Sequence, residues 1–253
     1  MSETLRLLAP AGFPEIRAGD DLAGILIATL ARDNVALDDG DVVVLAQKIV
    51  SKAEGRRIPL SGIKPSADAS RLAAICQKEP ALIELVLQES TEVLRCKPGV
   101  IIVRHKLGFV LANAGIDRSN VDGAEDHALL LPEHPDHSAA ALRAALVAAS
   151  GKSVAVLIND SFGRAWRLGT TGTCIGCAGL EALIDLRGVQ DRFGRPLQVT
   201  ELAHADEIAA AASLLMGQAG EGRPVVIVKG LAPAARETPA TALIRPKAED
   251  LFP

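Results

Sequence analysis

Three groups of polar residues recur in this 253-residue chain at the same kind of place, just past an apolar run. Val42–Ala46 leads to Gln47, Lys48, Ser51 and Lys52; Gly108–Ala112 leads to Asn113, Asp117, Ser119 and Asn120; Val154–Ile158 leads to Asn159, Asp160 and Ser161. Open α/β sheets place their ligand sites just outside strand ends. Two aspartates, an amide and a hydroxyl form a hard oxygen set, suited to Mg²⁺ or Mn²⁺ that bridges to phosphates. Lysines and turn amides nearby would neutralise the remaining phosphate charge. The same Asp and Asn residues also fit ordinary turns, with side chains bonded to local backbone. Spacing alone leaves both readings open.

The thiols offer a rival chemistry. Cys174 and Cys177 form a Cys-x-x-Cys, the spacing of a redox couple or half of a zinc site. A zinc site needs two further ligands, and Cys76 and Cys96 lie twenty residues apart in a stretch that reads as helical. The surroundings, "IGCAGL", look like the first turn of a buried helix, where free Cys acts as a small hydrophobe. His127, His134 and His137 lie near Glu125, Asp126 and Asp136, a mix that could bind zinc but also fits a solvated loop leading to a helix capped by Ser138. Arg104, His105 and Lys106 read as a basic turn. Trp166 fits either a ligand stack or a core cover. Asp206 and Glu207 open a helix after His204, where acids favour the dipole.

These residues need elements to hold them. Hydrophobic residues make up 49% and aromatics 2%, so the core is built from Ala, Val, Leu and Ile. The pattern predicts a capped helix in 19–34, a strand at 42–46 and two helices across 66–94 broken near Pro80. It predicts strands on either side of a turn at Lys106–Gly108, a helix over 138–151 and a strand over 153–160. A helix over 204–222 runs into a Gly-rich turn, and a last strand covers 224–230. The 161–173 stretch reads as turns. Strands and helices mix without strict alternation, so the expected class is α/β or α+β, with mixed β-sheet layers flanked by helices. Residues 1–232 read as one functional unit with two subdomains, followed by an irregular tail over 233–253. Net charge is −4, which disfavours nucleic-acid binding. No run approaches the roughly 20 apolar residues of a membrane span, and the opening segment shows no secretory signal. Sparse cysteine use fits a reducing cytoplasm rather than a disulfide framework.

Six stretches, in order, carry a resemblance: "GFPEIRAGDDLA" (12–23), "AQKIVSKAEGR" (46–56), "ANAGIDRSNV" (112–121), "LLPEHPDHSA" (130–139), "NDSFGRAWRLG" (159–169) and "VTELAHADEIAAAASLLMGQAGEGRPVVIVKG" (199–230). Together they resemble the γ-glutamyl ligase family of the deazaflavin coenzyme F-420. The resemblance implies a cytoplasmic, homodimeric, intertwined enzyme that uses GTP and divalent metal (Mg²⁺ or Mn²⁺, with K⁺). It would join L-glutamate to the coenzyme precursor through an acyl phosphate, then add γ-linked glutamates.

Carried over by position, Asp117 and Asp160 would hold metal, with Ser161 standing where the family often has Thr. Lys52, preceded by Gln47 and Lys48, would hold nucleotide phosphates, and Asn120 would touch the nucleotide. Phe13, Pro14, Glu15 and Ile16 match one nucleotide loop. Met216, Gly217, Gln218, Ala219, Gly220, Glu221, Gly222 and Arg223 match another, and Gln218 stands where relatives can have a metal-binding acid. An amide is a poorer ligand than a carboxylate. Arg164 and Arg167 follow the Asp160 turn; their place in the chain, not the resemblance, suggests contact with a substrate phosphodiester or the γ-phosphate. The alternatives are a non-catalytic nucleotide- or deazaflavin-binding homologue, and a thiol oxidoreductase on Cys174 and Cys177.

Overall fold

The computed structural model describes residues 4–118, 127–232, 234 and 236–250. In chain order the elements are β1 (Arg6–Leu8), α1 (Leu22–Arg32), β2 (Val42–Ala46), α2 (Gln47–Ala53), β3 (Arg57–Pro59), α3 (Ala67–Cys76) and α4 (Pro80–Gln88). Then come β4 (Ser90–Lys97), β5 (Val100–His105), β6 (Val110–Ala112), β7 (His127–Leu129), α5 (Pro135–Ser150), β8 (Ala155–Arg164) and β9 (Arg167–Ala178). The chain closes with β10 (Ile184–Asp185), β11 (Glu201–Leu202), α6 (His204–Met216) and β12 (Val225–Lys229). The expected mixture of helices with several sheets is what the molecule shows.

A five-stranded sheet in the order β1-β12-β2-β8-β9 forms the centre. β2 and β8 run parallel; the other neighbours are antiparallel. Period-two alternation divides β2 between two apolar layers. Val43 and Leu45 join α1 and α5 on one face, whereas Val42 and Val44 join α6 on the other. Both faces are therefore covered, which is why the strand reads as an unbroken β-branched run. Each fully buried Leu, Ile or Val contributes on the order of 1.5–3 kcal/mol of transfer free energy. A third apolar cluster joins α3 and α4 to the β4-β5-β6 sheet.

Local signals explain the helix limits. Asp21 caps α1 by accepting from the Gly24 amide at 3.1 Å, and Ser66 caps α3 by accepting from Ala69 at 3.1 Å. Pro80 starts α4, and α5 stops at Gly151 in the left-handed region.

Five expectations change. The helical reading across 66–94 fails after Gln88, because Ser90–Lys97 is a strand paired with β5. The 161–173 segment is not a set of turns: β8 runs on to Arg164 and pairs with the twelve-residue β9. The physical reason lies in its glycines. A Cβ on Gly172 would collide with the Ala209 carbonyl and Ser213 of α6, and one on Gly176 would collide with Pro135 of α5. These glycines let two helix backbones lie directly on the strand. Cys174 and Cys177 accordingly sit in a strand, not a helix turn. Ser138 is not a cap, since α5 begins at Pro135 with His134 before it. Cys76 and Cys96 are disulfide-bonded, joining the end of α3 to β4, against the expectation that sparse cysteines fit a reducing cytoplasm rather than a disulfide framework. Among the described residues no helix is long and apolar enough to cross a membrane.

Candidate functional site

Topology gathers the site at one edge of the central sheet. β2 and β8 are parallel, with Ala46 opposite Asn159, so both deliver their C-terminal residues there. β12 runs the other way, and its first residue, Val225, faces Leu45. The Gly-rich loop before β12 must then reach the same edge, fixed by the Ala46 amide donating to the Pro224 carbonyl at 2.8 Å. The loop before α1 closes the remaining side.

A cleft of about 310 Å³ results. It is lined by Phe13, Pro14, Glu15, Ile16, Gln47, Lys48 and Lys52, by Asn159, Asp160 and Ser161, and by Met216, Gly217, Gln218, Ala219, Gly220, Gly222 and Arg223. These are almost all of the residues matched to a nucleotide site. Glu221 is not on the lining; its carboxylate folds back and accepts from the Ala219 amide at 2.8 Å. Gly217 has φ +73, and a Cβ there would strike that carboxylate, so the turn requires glycine. Asn120 lies outside the described residues.

Asp117 comes from the other direction. It follows β6 through a turn in which Asn113 and Ala114 are both left-handed, and it exchanges two backbone hydrogen bonds with Leu129 at the end of β7. Lys48 Nζ lies 3.4 Å from Asp117 Oδ2. Burial and the charge of Asp117 push Asp160 up to about 7, opposed by the Ser161 amide and Lys48. Burial also raises Asp117, with Lys48 pulling the other way. Two carboxylates near enough to influence each other, both partly desolvated, form a place where a cation is favoured. The Ser161 amide donates to Asp160 Oδ1 at 2.7 Å, which orients the carboxylate.

The amides support the same conclusion. Gln47 is 1% exposed, and neither its amide nitrogen nor its oxygen has a partner among the described residues. Asn159 donates to Ser213 Oγ at 3.1 Å and to Met216 Sδ at 3.4 Å, yet its Oδ1 is unpartnered. Buried amides are ordinarily satisfied, so such groups on a cleft wall suit a polar ligand. Hard oxygens from Asp117, Asp160 and Ser161 fit a small divalent cation. Gln218 lines the cleft as an amide, and among the described residues no group of three or more His, Cys, Asp or Glu side chains is placed to hold a metal. Among the described residues the aspartates thus supply two carboxylates and no third. Lys52 is ion-paired with Glu15 across the cleft mouth.

Other candidates fall elsewhere. Arg164, Trp166 and Arg167 sit at the exposed end of the β8–β9 hairpin and do not line the cleft. Trp166 is 87% exposed, so it covers no core. Arg104 and His105 belong to β5 rather than to a basic turn. Arg104 pairs with Asp250 at 3.2 Å. The rings of His134 and His137 are 5.4 Å apart without a metal-type cluster among the described residues, while Glu125 and Asp126 lie outside those residues. Cys174 and Cys177 are free and buried. The Cys177 contact and burial hold Cys174 far above the ordinary thiol range, the opposite of a reactive cysteine. Sequence reading missed what fixes this strand: the Cys174 amide donates to Asp206 Oδ1 at 2.8 Å and the Cys177 amide to Asp136 Oδ1 at 2.8 Å. The signal available was an acid in the first turn of the helix before this strand, α5, and of the helix after it, α6.

The F420-0:Gamma-glutamyl ligase family model matches residues 12–230. The chain is 44% identical over 250 residues to the "Coenzyme F420:L-glutamate ligase" of Methanothermobacter thermautotrophicus, covering 98% of each chain. It is 42% identical over 242 residues to the protein of that name from Methanopyrus kandleri, covering 94% of this chain and 93% of the other. It is also 42% identical over 217 residues to the one from Methanocaldococcus jannaschii, covering 85% and 86%. With a match of this extent spanning both nucleotide-type loops and both aspartates, the chain belongs to the F420-0:gamma-glutamyl ligase family.

Proposed function

We propose that the protein is a GTP- and divalent-metal-dependent ligase that joins L-glutamate to the coenzyme F420 precursor, then adds further glutamates through their γ-carboxyls. The observation that supports this reading is a cleft that holds Asp160, the unpartnered Gln47, Lys52 and the Gly-rich loop, with Asp117 acting on Asp160 by its charge and tied to the lining residue Lys48. The relatives' printed names supply the coenzyme and the amino acid.

A carboxylate is a poor acylating agent at neutral pH. In the proposed reaction a carboxylate oxygen of the precursor attacks the γ-phosphorus, and the bond to the β,γ-bridging oxygen breaks, releasing GDP. The glutamate amine then attacks the acyl carbon, the C–O bond to phosphate breaks, and inorganic phosphate leaves as the amine gives up its proton. Phosphoryl transfer depends mainly on positioning and charge. Asp117, Asp160 and Ser161 would hold a Mg²⁺ or Mn²⁺, which when bound neutralises developing phosphate charge. Lys52 and Arg223 contribute fixed positive charge at the cleft. Amides of the 217–223 loop and the Gln47 side chain orient the nucleotide. Lys48, tied to Asp117, balances the paired carboxylates.

Homodimerisation, a role for K⁺ and a cytoplasmic location belong to the same reading. Exposed Trp166 and Leu168 at the β8–β9 hairpin end support the dimer. The deciding experiment incubates the protein with GTP, Mn²⁺, precursor and glutamate, and follows product by mass spectrometry. The ligase gains one glutamate residue mass per step. A second reading, a nucleotide- or deazaflavin-binding homologue without turnover, is favoured by the amide at Gln218; no mass gain with GTP still bound selects it.

A further inference from the structure

A second hollow opens beside the nucleotide-type cleft. Its volume is about 560 Å³, larger than the first, and the two share Glu15, Ile16 and Lys52. Its other walls include Arg17, Arg57 and His127. No described carboxylate pairs with either guanidinium. Three permanent cations around one hollow, opposed among the described lining residues by Glu15 alone, make an anion-attracting site. Glu15 is the internal counter-ion of Lys52 at the junction.

The frame of this hollow is fixed by backbone. The Gly19 amide donates to the Ala53 carbonyl at 2.8 Å, tying the Arg17 loop to the end of α2. The Arg17 amide donates to Asp20 Oδ2 at 2.8 Å, closing that loop on itself. On the other side β3 pairs with β7, with Arg57 opposite Leu129 and Pro59 opposite His127. Alternation along β3 turns Ile58 toward the third apolar cluster, so Arg57 and Pro59 share the hollow's face.

We propose that this hollow is the seat of the acid substrate: Arg17 and Arg57 hold the phosphodiester of a bulky heteroaromatic acid, whose carboxylate then reaches Lys52 and the nucleotide. The inference rests on the ligase reading above and adds to it the position of the acid. Size favours this occupant over the amino acid, since hollows of about 300–1,000 Å³ take ligands of drug size. Shape favours it too, because the apolar Ile16, Ala18 and Pro59 offer surface to a flat ring while the guanidiniums suit a phosphate bidentately. The junction at Lys52 puts the two occupants end to end, which acyl phosphate formation requires.

The test measures precursor binding by calorimetry without nucleotide, and GTP binding with Mn²⁺ separately, in the full chain. Arg17→Ala with Arg57→Ala should weaken precursor binding by about tenfold or more. GTP affinity should stay within about twofold and the melting temperature should not move. Arg57→Lys should recover part of the loss, since charge remains without the fork. Unchanged precursor affinity in the double variant overturns the proposal. So does an equal loss of GTP affinity, a matching fall in melting temperature, or a raised KM for glutamate with precursor binding intact. The binding arm needs no turnover. A chain that never incorporates glutamate but loses precursor affinity in the variant removes the ligase reading and keeps the subsite. A working ligase indifferent to the double variant removes the subsite alone.

Discussion

Burial and the charge of Asp117 raise the proton affinity of Asp160, opposed by the Ser161 amide and by Lys48, which lies 3.4 Å from Asp117. The protein thus holds a like-charged pair partly desolvated at the cleft. In the proposed function that arrangement exists for a cation. The Asp160→Asn variant should therefore lose more activity than the about 10–100-fold typical of outer-shell changes at metal sites. It should also lose the rise in melting temperature that Mn²⁺ gives the parent. In chelator at pH 8 it should melt above the parent by at least about 2 °C, because a buried charge is gone. Full glutamate incorporation in this variant would remove Asp160 from the machinery.

The same pair sets a proton count. With Asp160 pushed up to about 7, most of its population is protonated at pH 6 and ionised at pH 9. Cation binding requires the ionised form, so Mn²⁺ uptake should release about one proton at pH 6 and almost none at pH 9. Calorimetry in buffers of differing ionisation enthalpy reads this directly. Equal release at both values would show that the aspartates do not ligate the cation.

Glycines on β9 should be as intolerant as core positions. A Cβ on Gly172 meets the Ala209 carbonyl, Ser213 Oγ and the Asn159 amide at once. Gly172→Ala must push α6 from the sheet, at a cost of about 1–3 kcal/mol, visible as a lower urea midpoint. If the cleft holds GTP as proposed, the variant should also bind it more weakly, because Asn159 lines the cleft. Gly188→Ala is the contrast at a glycine of a different kind: nothing lies within 4 Å of its Cβ, but its φ is +84. Its cost is backbone strain alone, without the effect on nucleotide binding.

How much of this was legible in the sequence depends on the physics of each part. β2, β8 and β12 are apolar β-branched runs covered on both faces, and composition alone reports that. β9 was hidden because its glycines, needed for helix approach, carry the same letters as turns. β4 was hidden because it follows α4 almost without a break, and "STEVLRCK" offers no clear alternation. The meeting of Asp117 with Asp160 is a product of topology: parallel β2 and β8 and the Asp117–Leu129 bridge bring together residues that no local pattern connects. Family resemblance pointed to the pair; spacing did not. Arg17 and Arg57 escaped for the same reason, since only the β3–β7 pairing and the Gly19–Ala53 hydrogen bond set them around one hollow.

The thiols should prove dispensable. Cys174 and Cys177 contact apolar side chains of the α6-side layer, and the raised Cys174 carries little thiolate at neutral pH. Replacing both by Ala should lower stability by about 1–2 kcal/mol through lost packing. Glutamate incorporation should remain within about twofold of the parent, as expected away from the reacting groups. A large loss of activity with intact nucleotide binding would restore a chemical role for the pair.

His105 should govern part of the acid stability. It is 4% exposed, and its Nδ1 accepts from the Leu107 amide at 2.9 Å. Burial, with Lys106 and Arg56 nearby, lowers it to about 4. Its Nε2 lies 3.8 Å from Glu89, but that carboxylate is already taken by Arg56 at 2.8 Å, so the ring is neutral and the contact is not an ion pair at pH 7. Between pH 4 and about 6.5 the unfolded chain binds more protons at this site than the folded one. Stability therefore rises with pH across that window and levels off above it. The lowering from 6.5 to about 4, at about 1.4 kcal/mol per unit, sets an upper value of about 3.5 kcal/mol. His105→Asn keeps an acceptor for Leu107 and removes the titration. Urea unfolding at pH 7 and pH 4.5 should show a smaller drop in the variant than in the parent, by about 2 kcal/mol. An identical drop in both would mean that His105 is protonated in the folded protein at the same pH as in the unfolded chain.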